Sequence, residues 1–145
     1  MSHRLDFYQA NPDAIKALMA LERHVEQSTL GKPLMELVRL RASQINGCAF
    51  CVDMHSTDAR NAGETDRRLA AVVVWRETPF FTERERAALA WTEALTRVST
   101  DRVPDALWAS VRPHFDDREL VDLTLLVSAI NGWNRFAIGF GKTPV

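Results

Sequence analysis

Cys48 and Cys51 are the only cysteines among 145 residues, and they lie in a stretch whose spacing is helical. Gly47 precedes the pair and frees the backbone where a helix begins; Gly63 is placed to cap its far end. Over a helix of Ala49 to Ala62, residues three and four apart share a face. Cys48, Cys51 and His55 fall at i, i+3 and i+7 and form one stripe. The thiols then sit in the first turn, where unpaired N–H groups and the helix dipole favour an anion. A thiol so placed ionises more readily than the free group, whose pKa is about 8.5. His55, with an unperturbed pKa of about 6.5, is placed to accept or return a proton. Glu36, twelve residues before Cys48, supports that histidine if the preceding helix packs alongside.

The rest of the chain divides into helices at its prolines, glycines and capping residues. Residues 1–10 read as an extended arm or a short turn of helix. Asn11-Pro12 is a capped helix start, followed by the apolar face of Ile15, Leu18, Met19 and Leu21 to Val25, with Gly31 as its end. A second helix runs from Pro33 to about Ile45, and Asn46-Gly47 breaks it. After the cysteine helix comes a segment from Asp66 to Arg76. Its run Val72, Val73, Val74 could be a strand in isolation, but its flanks favour helix. Thr82 and Glu85 make a capping box for a helix to about Val98. Ser99 to Val103 reads as a loop, and Pro104 opens a short helix that Pro113 stops. Asp116 or Asp117 caps a last long helix fading near Ile138. The expectation is an all-α, single-domain bundle of six or seven helices spanning residues 1–145.

Composition excludes several functions. A formal net charge of −1 gives no electrostatic reason to expect nucleic acid or a membrane surface as partner. No apolar run reaches the 18 or so residues of a membrane span. The opening M-S-H-R-L-D-F-Y lacks the apolar core of a signal peptide, and two cysteines this close staple almost nothing. Their use is redox or metal chemistry in a reducing compartment, hence a cytoplasmic protein. Zinc normally takes four ligands; only Cys48, Cys51, His55 and Glu36 are candidates, so no metal is assigned. Other signals have plainer readings. Asn131, Asn134 and Arg135, in an apolar helix, must find partners if buried and read as a satisfied network. Phe50, off the cysteine stripe, lines an access channel or packs on another subunit. Phe80-Phe81, in a linker, reads as a contact to a partner chain.

The pattern E-x11-C-x-x-C-x3-H, here Glu36, Cys48-Ala-Phe-Cys51 and Val-Asp-Met-His55, followed by S-T-D-A-R-N-A-G-E, resembles the alkylhydroperoxidase D (AhpD) core of the carboxymuconolactone decarboxylase-like superfamily. The close likeness covers about a third of the chain. AhpD itself has a histidine beside its second cysteine, where this sequence has Phe50, which points to a shorter, single-domain relative. The resemblance implies an all-α fold, a homo-oligomer (trimer or hexamer), and peroxide reduction or dithiol exchange catalysed by Cys48, Cys51, His55 and Glu36. It implies a hydroperoxide substrate and a thiol reductant such as a lipoyl or thioredoxin-like protein. No bound cofactor is needed, because the protein's thiols carry the electrons. Which cysteine attacks is open: the dipole favours Cys48, closeness to His55 favours Cys51. Two other readings stand beside this one, a decarboxylase-like enzyme acting on a small lactone acid and a non-catalytic redox sensor.

Overall fold

The computed structural model describes residues 2–145. Among them are nine α-helices, two 3-10 segments and no strand. The helices are α1 (Phe7–Ala10), α2 (Pro12–Glu26), α3 (Lys32–Asn46), α4 (Ala49–Asn61), α5 (Asp66–Ala71), α6 (Glu83–Thr96), α7 (Val98–Asp101), α8 (Asp105–Val111) and α9 (Asp117–Phe140). The all-α class is as expected, and the count of six or seven is corrected to nine. The additions, α1 and α7, are four residues each, too short for an apolar period to show. Among the described residues no helix is long and apolar enough to cross a membrane.

The central element is α3, which packs against α4, α6 and α9. Every residue from Leu34 to Ser43 is buried, as for a helix enclosed on all sides. Leu34, Met35 and Val38 meet Val25 of α2, Ala88 and Trp91 of α6, and Leu123, Leu126 and Val127 of α9. Leu37 and Leu40 meet a second cluster containing Ala59, Leu69, Trp75 and Leu89. The same helix buries Glu36, Arg39 and Arg41. Buried charges are tolerable only when paired, so α3 must carry its ionic partners with it.

Several local expectations are refined. The valine run is neither strand nor α-helix. It tightens into a 3-10 segment, Val72–Glu77, with Val74 leaving helical geometry at φ −123°. β-branched side chains crowd an α-turn, and 3-10 winding superimposes residues three apart; Val72 and Trp75 are therefore buried together while Val73 and Val74 face out. Phe81 is buried in its own chain's core beside Trp75 and Leu89. Arg67 and Arg68 lie over the rings of Phe80 and Phe81. A partner chain is thus not needed to cover Phe81. Asp116, not Asp117, caps α9, in a capping box with Glu119.

Helix α9 continues to Phe140 and ends at Gly141, whose φ is +70°. The carbonyl of Ser2 lies where a Cβ on Gly141 would go. The arm is fixed there: the Arg4 N–H donates to the Phe140 carbonyl at 2.9 Å and Arg4 Nη1 to the Gly139 carbonyl at 3.0 Å. This anchor brings α1 next to the cysteines.

Candidate functional site

The site begins with the turn between α3 and α4. Gly47 takes φ +70°, a left-handed conformation that suits glycine, and ends α3. The Cys48 N–H donates to the Ser43 carbonyl at 3.0 Å. Cys48 is then extended and forms the N-cap of α4, its Sγ accepting the Cys51 N–H at 3.2 Å. It stands one position outside the first turn in which the spacing alone put it. Cys48 and Cys51 are joined as a disulfide, and both are buried. Asn46 Nδ2 donates to Oδ1 of both Asn131 and Asn134 at 2.9 Å, and Asn134 Nδ2 donates to Ser43 Oγ at 3.0 Å. These asparagines form the satisfied network expected of them, tying the turn to α9.

Glu36 of α3 and His55 of α4 meet, with Glu36 Oε2 and His55 Nδ1 2.9 Å apart. The structure thus brings all four predicted residues to one place. Burial pushes the Glu36 carboxyl upward, but hydrogen bonds and charge from His55 and Arg39 outweigh it and hold the group below the usual carboxylate range. Sequence reasoning missed Arg39. This guanidinium, 3% exposed, donates to Glu36 Oε1 at 2.7 Å, Glu22 Oε2 at 2.7 Å and Glu26 Oε1 at 3.0 Å. Burial works to lower its pKa, and the three carboxylates reverse this and raise it. Glu22 Oε1 also accepts the Trp133 indole N–H at 3.0 Å, so one arginine links α2, α3 and the wall of the site. The available signals were the i, i+4 spacing of Glu22 and Glu26 and the i, i+3 spacing of Glu36 and Arg39.

Beside the disulfide lies a cavity of about 220 Å³. Its wall includes the rings of Phe7, Tyr8, Phe50 and Trp133, the thioethers of Met19 and Met54, and Ala137, Glu22, Cys51 and His55. Phe50 therefore lines the cavity, the first of its two expected roles. Cys51 belongs to the wall and Cys48 does not. Lys142 Nζ sits 4.5 Å from the Phe50 ring centre and 4.6 Å from that of Tyr8. Ligating atoms of Glu36, His55 and Asp58 lie within 4.8 Å of one another, close enough to share a cation. Glu36 and His55 are already satisfied by each other and by Arg39.

The arrangement has parallels among known proteins. The carboxymuconolactone decarboxylase family model matches residues 12–94, more than half of the chain. The uncharacterized protein YdfG of Bacillus subtilis (strain 168) is 43% identical over 142 residues, covering 98% of this chain and 97% of that protein. A solved structure from Agrobacterium tumefaciens, described as a protein of unknown function and a candidate antioxidant defence protein AhpD, is 45% identical. It superposes with a TM-score of 0.95 over 99% of both chains. An uncharacterized peroxidase-related protein from Silicibacter sp. TM1040 is 25% identical, with a TM-score of 0.83 over 95% of this chain and 73% of its own. With its helical fold, its C-x-x-C turn and these likenesses, the chain belongs to the carboxymuconolactone decarboxylase family, as an AhpD-like member.

Proposed function

We propose that the chain is a thiol-dependent alkyl hydroperoxide reductase or dithiol–disulfide oxidoreductase whose Cys48 and Cys51 cycle between dithiol and disulfide. One observation carries the reading: the second sulfur of a disulfide-bonded C-x-x-C shares a cavity wall with His55, itself held by buried Glu36. Cys51 is the attacking sulfur, because a substrate in the cavity meets it and not Cys48. Its thiolate attacks the terminal oxygen of ROOH; the O–O bond breaks and the leaving alkoxide takes a proton delivered by His55, giving ROH. Cys51 is now a sulfenic acid. The Cys48 sulfur attacks Cys51 Sγ, the S–O bond breaks, and the hydroxyl leaves as water with a second proton. The balance is ROOH plus two thiols giving ROH, water and the disulfide. A dithiol reductant, lipoyl or thioredoxin-like, restores both thiols through a mixed disulfide. Glu36 fixes the His55 ring and stabilises its protonated form.

The same reading takes the 145 residues as one AhpD-like domain, working in the cytoplasm where reductant is at hand, and assembled as a trimer or hexamer. A monomer by light scattering at micromolar concentration would remove the assembly from this account. A lactone-acid decarboxylase is the weaker reading, because the cavity wall offers no lysine or arginine to a carboxylate. The deciding experiment is a thiol count with intact mass on the reduced protein, before and after one equivalent of an organic hydroperoxide. Rapid loss of two thiols, with sulfenic acid trapped on Cys51 in Cys48→Ser, is the expected result. Undiminished peroxide consumption in both Cys48→Ser and Cys51→Ser would overturn it. Oxidation too slow for turnover, accompanied by a change of assembly, would indicate a sensor instead.

A further inference from the structure

We infer that the cavity beside Cys51 is a binding site for an uncharged, compact apolar group of substituted-benzene size. It selects aryl-substituted hydroperoxides over hydrogen peroxide and over carboxylate-bearing substrates. This rests on the peroxidase reading and adds a substrate class to it.

Size comes first. An apolar cavity of about 150 Å³ holds benzene. At about 220 Å³, this one takes a ring with roughly three further heavy atoms by the same yardstick. The wall is suited to such a guest. The rings of Tyr8 and Trp133 stack with centres 6.4 Å apart, and Phe7 is braced edge-on by Phe136 at 5.4 Å, so the aromatic surfaces are held by neighbours. Aromatic faces favour offset or edge contacts with another ring, and Met19 and Met54 adapt their shape to the remaining space. Phe50 lies one residue before Cys51, which fixes the guest's position relative to the sulfur. Hydrogen peroxide has nothing to bury here, whereas each buried methylene multiplies affinity by about fourfold.

Charge gives the second selection. Both oxygens of Glu22 are fixed, by Trp133 and Arg39, so the carboxylate stays in the wall. Around it, the carboxylates of Glu22, Glu26 and Glu36 are already paired with Arg39, Lys32 and His55, so the basic groups of this cluster are engaged by the protein's own acids. Lys142 lies over the rings of Phe7, Tyr8 and Phe50 and is not part of the wall. A carboxylate entering the cavity would shed water and meet no lysine or arginine in the wall. The one basic group there, His55, is already held by Glu36, so the carboxylate's burial would be poorly compensated.

The test compares kcat/KM for hydrogen peroxide, cumene hydroperoxide and a para-carboxylated cumene hydroperoxide, using the wild-type chain and Met54→Trp. Met54 is 38% exposed, so the larger side chain can extend across the cavity without disturbing the core. The expected result is a preference for cumene hydroperoxide of about a hundredfold over hydrogen peroxide and at least about tenfold over the carboxylate. Met54→Trp should remove most of that preference, read as the ratio of kcat/KM for cumene hydroperoxide to that for hydrogen peroxide within each protein. Equal turnover of all three peroxides overturns the inference and leaves the peroxidase reading standing. Calorimetry of the oxidised protein with 2-phenyl-2-propanol, the alcohol product, separates the two further. Saturable binding that Met54→Trp abolishes supports the cavity assignment even if no peroxide is consumed, in which case the peroxidase reading falls instead. Absence of binding together with absence of preference removes the inference.

Discussion

Glu36 on α3 and Glu93 on α6 are both buried carboxylates, and both are held below the usual carboxylate range against a burial that pushes them up. Their surroundings differ. Glu93 accepts hydrogen bonds from Arg76 Nη1 at 2.5 Å, Trp75 Nε1 at 2.7 Å and Arg41 Nε at 3.0 Å. Each of these donors keeps its proton throughout the ordinary pH range. Glu36 shares one oxygen with Arg39 and gives the other to His55, a group that can change its protonation near neutrality. The hollow beside Glu93 is lined by Val73, Val74, Arg76 and Arg97 among others and contains neither cysteine nor histidine. The cavity beside Glu36 contains both. A buried, stabilised carboxylate is therefore no mark of a site by itself. What distinguishes Glu36 is a partner with an exchangeable proton that shares a cavity wall with a disulfide sulfur.

The widest separation between the two should appear in activity. Glu36→Gln removes the anion that supports His55 and should lower kcat/KM for an organic hydroperoxide by about 10²- to 10⁴-fold, the span of a general acid–base contribution. Glu93→Gln should stay within about threefold of wild type on the same scale. Matching losses in a stopped-flow thiol-oxidation assay would erase the distinction.

Stability should reverse the order. Glu93→Gln leaves Arg41 with no carboxylate, its other contact being Gln44 Oε1 at 3.3 Å, and breaking a buried pair costs about 3–5 kcal/mol. Glu36→Gln leaves Arg39 with Glu22 and Glu26, so its loss should be about 1.5–3 kcal/mol, the cost of a hydrogen bond to a charged group. Urea midpoints measured at one redox state would decide. A larger loss in Glu36→Gln would mean that Arg39 depends on Glu36 more than on the pair from α2.

Acid should reveal both networks through the wild-type chain. Each glutamate has a lowered folded pKa, so the unfolded chain binds more protons over the interval between the two values and stability rises with pH there. The contribution is complete above the unfolded value of about 4.3 and disappears as pH falls through the lower folded values. The urea midpoint should therefore drop steeply below about pH 4, and Glu93→Gln should drop less steeply. Parallel slopes would show that Glu93 contributes nothing to the acid sensitivity.

The sequence revealed the moving parts of the site better than its supports. Cys48, Cys51 and His55 sit within eight residues, where helical periodicity alone aligns them, and Glu36 was reached through the longer pattern. The caps at Thr82 and Asp116 are local chemistry and were readable as such. Arg39 was not, because its three carboxylates come from α2 and α3 and its burial follows from α3 being covered on every side. Along the chain it resembles any charge on a solvated face. The cavity was equally hidden: Phe7 and Tyr8 reach it through long-range contacts, the fastening of the arm to the end of α9 by Arg4 and the packing of their rings on Phe136 and Trp133. The valine run is helical, as its flanks indicate, but its tightening into a 3-10 segment was not legible, because that follows from burying Val72 and Trp75 together.

The smallest effect expected lies with Arg39, and it sharpens the contrast through pH. Arg39 is one of the groups that lower the Glu36 carboxyl, and burial is the largest influence raising it. The other groups near Glu36 are His55 and Asp58 of α4, Lys32 of its own helix, and Glu22 and Glu26 of α2, which reach it through Arg39. Arg39→Met takes away a cation and leaves those two acids unneutralised, so the Glu36 pKa should rise. Glu36 must be ionised to hold the proton of His55 Nδ1, so the acid limb of the kcat/KM profile should move to higher pH with the plateau little changed. Arg39→Lys keeps a charge but loses the planar fork that reaches three carboxylates at once, and its limb should move in the same direction by less. Arg41→Met, the equivalent deletion beside Glu93, should leave the limb where it is. A shift in Arg41→Met as large as that in Arg39→Met would mean that the limb reports general loosening of α3 and not the ionisation of Glu36.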